Sequence, residues 1–138
     1  MIVNVAYAGD GFPWHFDTNN FTITLAIQSA DEGGLFEYAP NIRQDCENFE
    51  SVKAVLDGVS DRVKSLALEP GDLQLFKGRY LLHRVSSLKG PPPRYVAILS
   101  YVEQPDMVGT PKRVKKLYGR VLPIHLERAG LRSGSYLD

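Results

Sequence analysis

Three consecutive residues near the start of the chain, His15-Phe16-Asp17, carry an imidazole and a carboxylate at positions i and i+2. In an extended strand such positions project from the same face, roughly 6.5–7 Å apart along the chain, so both groups can converge on one metal ion. Two ligands hold a transition metal poorly, and a third is expected from the other histidines, His83 and His125. His83 lies in YLLHRV, a predicted strand, 66 positions beyond Asp17. His125 lies in LPIHLER and reads as a structural or exposed residue. Two imidazoles and one carboxylate on one face of an ion are the donor set that suits Fe(II) and leaves coordination positions open. The lack of cysteine pairs argues against a structural zinc site.

Arg94 stands 11 positions past His83 and opens the apolar run RYVAILSY. A guanidinium at the edge of an apolar cavity requires an anionic partner, because an unpaired charge there is costly. Its planar fork matches a carboxylate through two hydrogen bonds. Ser100 shares a strand face with Arg94 if the alternation holds, and Thr24 could reach the same ligand from a neighbouring strand. Thr18, Asn19 and Asn20 follow Asp17 and could orient its carboxylate, or form an ordinary polar turn. Lys112, Arg113, Lys115 and Lys116 read as a solvated basic helix face. Trp14 is expected to pack in the core, and Cys46 to be inert.

The elements that must position these groups are mostly strands. Phe21–Gln28 alternates strictly, with Phe21, Ile23, Leu25 and Ile27 on one face and Thr22, Thr24 and Ala26 on the other, the period of a half-buried strand. Further strands are predicted over residues 2–7, 35–38, 62–68, 73–76, 80–85 and 94–102. Phe49, Val52, Val55 and Leu56 make one apolar stripe, so a helix is predicted over residues 48–59, with Asn48 as its cap and Gly58 near its end. A second, basic helix is expected over residues 110–117, with Pro111 in its first turn. Short strands with turns every 8–12 residues point to an antiparallel sandwich or jelly roll.

With 138 residues, one domain with one sizeable core is expected. Sixteen basic and sixteen acidic side chains cancel, which argues against a dedicated nucleic-acid binder. The longest apolar runs fall short of a membrane span. A single cysteine, Cys46, cannot form an internal disulfide, which fits a cytoplasmic location.

His15-x-Asp17, the distal His83 and Arg94, in that order and at strand-compatible spacing, resemble the Fe(II)- and 2-oxoglutarate-dependent dioxygenases. The runs GFPWHFDTNNFTITLAIQ, EGGLFEY, PGDLQLFKGRYLLHRV and RYVAILSY further resemble the small-molecule hydroxylases grouped with the amino-acid halogenases of that superfamily. The resemblance covers residues 1–104. It implies a mainly β, double-stranded β-helix (jelly-roll) fold with one internal helix, followed by a C-terminal helical extension over residues 105–138 packed on the core. It implies that His15, Asp17 and His83 bind Fe(II), and that Arg94, with Ser100 and Thr24 nearby, holds 2-oxoglutarate. Decarboxylation of that cofactor to succinate and CO2 would activate O2 to oxidise a small molecule, an amino acid or related metabolite. Halogenases of the group replace the carboxylate ligand by a small residue, and the presence of Asp17 therefore favours hydroxylation. The group's longer members carry a helical part before the barrel, whereas Met1 here lies almost at the metal strand. A fragment, a minimal natural version and a homodimer in which a second chain covers the exposed sheet are accordingly the open expectations. Two other functions fit the same residues: a cupin-like metalloenzyme that does not use 2-oxoglutarate, and a truncated, non-catalytic barrel that serves in binding or assembly.

Overall fold

The computed structural model describes residues 1–44, 46–105 and 107–129. Eight strands run in chain order as β1 (Ile2–Ala6), β2 (Phe12–His15), β3 (Phe21–Gln28), β4 (Phe36–Ala39), β5 (Lys64–Leu66), β6 (Leu73–Phe76), β7 (Leu82–Val85) and β8 (Arg94–Tyr101). Helix α1 (Phe49–Leu56) falls between β4 and β5, and α2 (Pro111–Tyr118) and α3 (Pro123–Glu127) follow β8. The strands form two four-stranded sheets of order β1-β8-β3-β6 and β2-β7-β4-β5, with every pairing antiparallel. Successive strands thus alternate between two facing sheets, except for β4 and β5, which are neighbours in one of them, the winding of a jelly roll. The mainly β fold expected from the sequence is the fold observed.

Local signals account for the helices. Asn48 caps α1 by accepting from the Ser51 N–H at 3.0 Å. Thr110 caps α2, Pro111 occupies its first turn, and Gly119 closes it in the left-handed region at φ 70°. Val55 of α1 packs with Ala39, Ile42 and Leu82, and Trp14, Phe16, Val52 and Val63 complete this cluster. Leu82 and Ala39 point away from the inter-sheet space, because their neighbours His83 and Phe36 line it. The main apolar cluster therefore lies behind the β2-β7-β4-β5 sheet, under α1.

The space between the sheets is lined by both polar and apolar side chains, and the threonine face of β3 turns toward it. Thr22, Thr24 and Ala26 are the buried face, while Leu25 and Ile27 are exposed. The inward row of β8 is Arg94, Val96, Ile98 and Ser100, and that of β6 is Gln74 and Phe76. The outward row carries Val3, Val5, Leu25, Leu73 and Leu75, the last two 67% and 63% exposed. Hydrophobic periodicity located β3, and its inner face is the one that carries Thr24.

Candidate metal centre

β2 and β7 bring the two histidines together. His15 and His83 are direct cross-strand partners. Between the Phe12↔Val85 and His15↔His83 pairs, β2 advances three residues against two on β7, an irregularity that re-aims His15. The two rings lie 4.3 Å apart between centroids, tilted by 52°. Asp17 sits two residues past the end of β2, in the connection to β3 rather than within the strand. Its backbone N–H donates to the Gly78 carbonyl at 2.9 Å, which fixes that connection against the β6–β7 turn.

Both imidazoles are locked in the same tautomer by the same device. Nδ1 of His15 donates to the Pro13 carbonyl at 2.7 Å, and Nδ1 of His83 to the Leu81 carbonyl at 2.8 Å. Each ring therefore turns its Nε2 toward Asp17, the orientation a metal ligand requires. The two Nε2 atoms are each 3.7 Å from Asp17 Oδ1. That separation is within the span of two donor atoms bound to one ion at about 2.0–2.2 Å each. The three ligating atoms all lie within 4.8 Å of one another. A donor set of two imidazoles and a carboxylate fits the iron that the residue pattern implies.

The other carboxylate oxygen is held by the protein. Thr22, buried on β3, donates its hydroxyl to Asp17 Oδ2 at 2.5 Å. Asn19 Nδ2 donates to Thr22 Oγ1 and to the Phe21 carbonyl, both at 2.7 Å. Gly78 closes the cradle, since a Cβ there would stand 2.1 Å from Asp17 Oδ2. Of the polar residues after Asp17, Asn19 is thus the one that acts on it, through Thr22. Thr22 and Gly78 escaped sequence reasoning, because a threonine in an alternating strand and a glycine in a turn are unremarkable until the fold juxtaposes them.

His83 lies in an aromatic box, with Phe36 and Phe76 at 5.5 and 5.0 Å between ring centroids. Burial first, and the neighbouring His15 second, push the His83 imidazole down to about 4, although Asp17 opposes the shift. Its neutral form, the one able to ligate a metal, is therefore the resting form well below neutral pH.

A cavity of about 120 Å3 extends from this cluster between the sheets. Arg94, Ser100 and Thr24 all line it. Arg94 is buried at the mouth of β8, and burial lowers its guanidinium from the ordinary value. Among the described residues its side chain has no hydrogen bond or ion pair. Thr24 donates to Gln74 Oε1 at 3.2 Å across the β3–β6 pair. A larger groove of about 440 Å3 lies beside Tyr38, Leu66 and Leu75, and it has neither the metal cluster nor Arg94.

Residues outside the cluster sort simply. Trp14 packs on the α1 core as expected, with the Arg84 guanidinium 4.8 Å from its ring centre. His125 Nδ1 accepts from the Leu122 N–H at 3.0 Å and belongs to the α3 turn. Cys46 is exposed and free. Arg113 departs from the predicted solvated face, because its Nη2 reaches back to the Phe16 carbonyl at 3.1 Å. Among the described residues no helix is long and apolar enough to cross a membrane.

Fold and site together define a jelly-roll protein with a histidine–aspartate–histidine cluster able to hold a metal ion. The family model described as "HalD: Halogenase D" matches residues 1–115, and the chain belongs to this halogenase D family. That places it in a family named for an enzyme. No curated protein matches the chain.

Proposed function

We propose that the protein is an Fe(II)- and 2-oxoglutarate-dependent oxygenase that hydroxylates a small molecule, an amino acid or related metabolite. The observation that carries this reading is the convergence of two Nε2 atoms on Asp17 Oδ1, each at 3.7 Å, in a cavity that also holds Arg94. His15, His83 and Asp17 would hold the iron. Bound iron and 2-oxoglutarate supply the activation of O2 that a C–H oxidation needs. The protein's part is positional. Pro13 and Leu81 carbonyls fix the imidazoles, and Thr22 occupies Oδ2 so that Oδ1 remains for the ion. Arg94 would pair with the far carboxylate of 2-oxoglutarate, a partner that offsets the cost of its burial. Ser100 and Thr24 border the same ligand.

The family's description raises halogenation as a second reading. Asp17 argues against it, because its carboxylate fills the position that a halide would take. The two readings separate when the chain is supplied with Fe(II), 2-oxoglutarate, O2 and chloride over a panel of amino acids. Succinate with a product heavier by one oxygen supports hydroxylation, and a chlorinated product supports halogenation. O2 uptake without succinate would point to the cupin-like chemistry instead, and iron that fails to bind would leave a non-catalytic barrel.

We also propose that a second copy of the chain covers the outer face of the β1-β8-β3-β6 sheet. That face bears no charge along its outward rows, so two-fold pairing meets no like-charge conflict. Four strands of this length give a footprint of roughly 400 Å2. Two such faces give roughly 800 Å2, the size of a weak or transient interface.

A further inference from the structure

A groove of about 670 Å3 runs between the mouth of the barrel and α2, and Asp17 lies on its wall. Asn4, Phe12, Ile98 and Ser100 line both this groove and the metal cavity, so the two spaces are continuous. Much of the remaining wall is apolar, with Val108, Val114 and Leu117 contributed from the α2 side. Arg113 is the one Lys or Arg side chain in that lining. Its Nη2 is held on the carbonyl of Phe16, the residue between two of the metal-site side chains. Its Nε is buried and has no hydrogen-bond partner among the described residues. Asn4 Oδ1, on β1 in the same lining, is a buried acceptor in the same condition. Arg113 and Asn4 thus each bring an unpaired, buried polar atom to the wall of a groove that opens on the metal cluster, the signature of a wall that could close on a polar ligand rather than of a packing surface.

We infer that Arg113 is a specificity-determining residue that anchors a carboxylate of the substrate. The fixed guanidinium presents its remaining N–H groups to an anion. The apolar body of the ligand lies along Val108, Val114 and Leu117, and Asn4 Oδ1 accepts from an N–H or O–H on the same molecule. This rests on the proposed oxygenase reading, and it gives α2 a part in substrate recognition. It also separates Arg113 from Lys112, Lys115 and Lys116, which are exposed.

The test uses the full chain without added metal, and measures binding of hexanoate and hexanamide by ligand-detected NMR. The two probes differ only in the anionic group. Hexanoate is expected to bind at least about tenfold more tightly than hexanamide, and Arg113→Gln to erase that preference while leaving hexanamide unchanged. Arg113→Lys, which keeps the cation and loses the fork, should show a reduced preference, and it serves if the glutamine variant does not fold. Arg94→Gln should retain the hexanoate preference and lose 2-oxoglutarate binding, measured in parallel with Fe(II) present. Absence of an acid preference in the parent chain overturns the inference, as does its persistence in Arg113→Gln. Equal weakening of both probes by Arg113→Gln assigns the residue to tethering α2 and also overturns it. Loss of the preference in Arg94→Gln alone places the acid in the inner cavity, with the same consequence. Failure of the parent chain to bind Fe(II) and 2-oxoglutarate counts against the oxygenase reading, independently of the two probes.

Discussion

The two oxygens of Asp17 do different work. Oδ1 faces both Nε2 atoms, while Oδ2 accepts the Thr22 hydroxyl, itself oriented by Asn19. A carboxylate held in this way presents one oxygen without a search through rotamers. Thr22→Val keeps the shape and removes the hydroxyl, so it is expected to weaken Fe(II) binding about 10- to 100-fold in an anaerobic titration. Thr22→Ser should restore most of the affinity, and an unchanged affinity in the valine variant would show that Oδ2 needs no partner. His83 makes a second prediction, for the metal-free chain. Its folded-state value of about 4 lies below the 6.5 of an unfolded histidine, so between these values the unfolded chain binds the extra proton. The contribution of His83 to stability is fully present above about pH 6.5 and is lost as pH falls toward 4. Urea midpoints of the metal-free chain should therefore drop over that window, and the drop should shrink in His83→Gln. The members of the cluster were legible, because HxD followed by a distal histidine and an arginine is a pattern of residue types. Thr22, Gly78 and Arg113 were not, because their roles arise from contacts between segments with ordinary local signals.

At the scale of elements, the site depends on the β2–β7 pair being held from behind. Leu82 alternates with His83 along β7 and is buried in the cluster beneath α1. Leu82→Ala should cost about 2–5 kcal/mol of stability, read from denaturant unfolding, because it opens a cavity at the centre of that cluster. A loss below 1 kcal/mol would mean that α1 does not brace the sheet. Strand positions were well marked in the sequence. Phe21–Gln28 and Leu73–Phe76 have the predicted bounds, and Asn48 and Thr110 cap the predicted helices. Hydrophobicity alone did not mark the inner face of β3, whose inward row is Thr22, Thr24 and Ala26 while Leu25 and Ile27 face outward; the placement of Thr24 beside the expected ligand did. The β2 irregularity that sets His15 opposite His83 likewise has no signature in local sequence.

At the scale of the whole molecule, the two sheets differ on their outer sides. One is covered by α1, and the other presents Leu25, Ile27, Leu73 and Leu75 to the exterior. An apolar area of this extent is at the upper end of what monomers leave uncovered. Light scattering of the purified chain should give twice its 15.4 kDa mass, and Leu75→Lys should return it to a monomer. A monomeric parent chain at tens of micromolar would remove the proposed dimer while leaving the metal site untouched. The measurement that bears most directly on the site is an anaerobic titration with Fe(II) followed by 2-oxoglutarate, read by metal stoichiometry and visible absorption. One iron per chain and a charge-transfer band on adding 2-oxoglutarate are expected, with the iron lost in His83→Ala and the band lost in Arg94→Ala. Stoichiometric iron retained by His83→Ala would contradict the account.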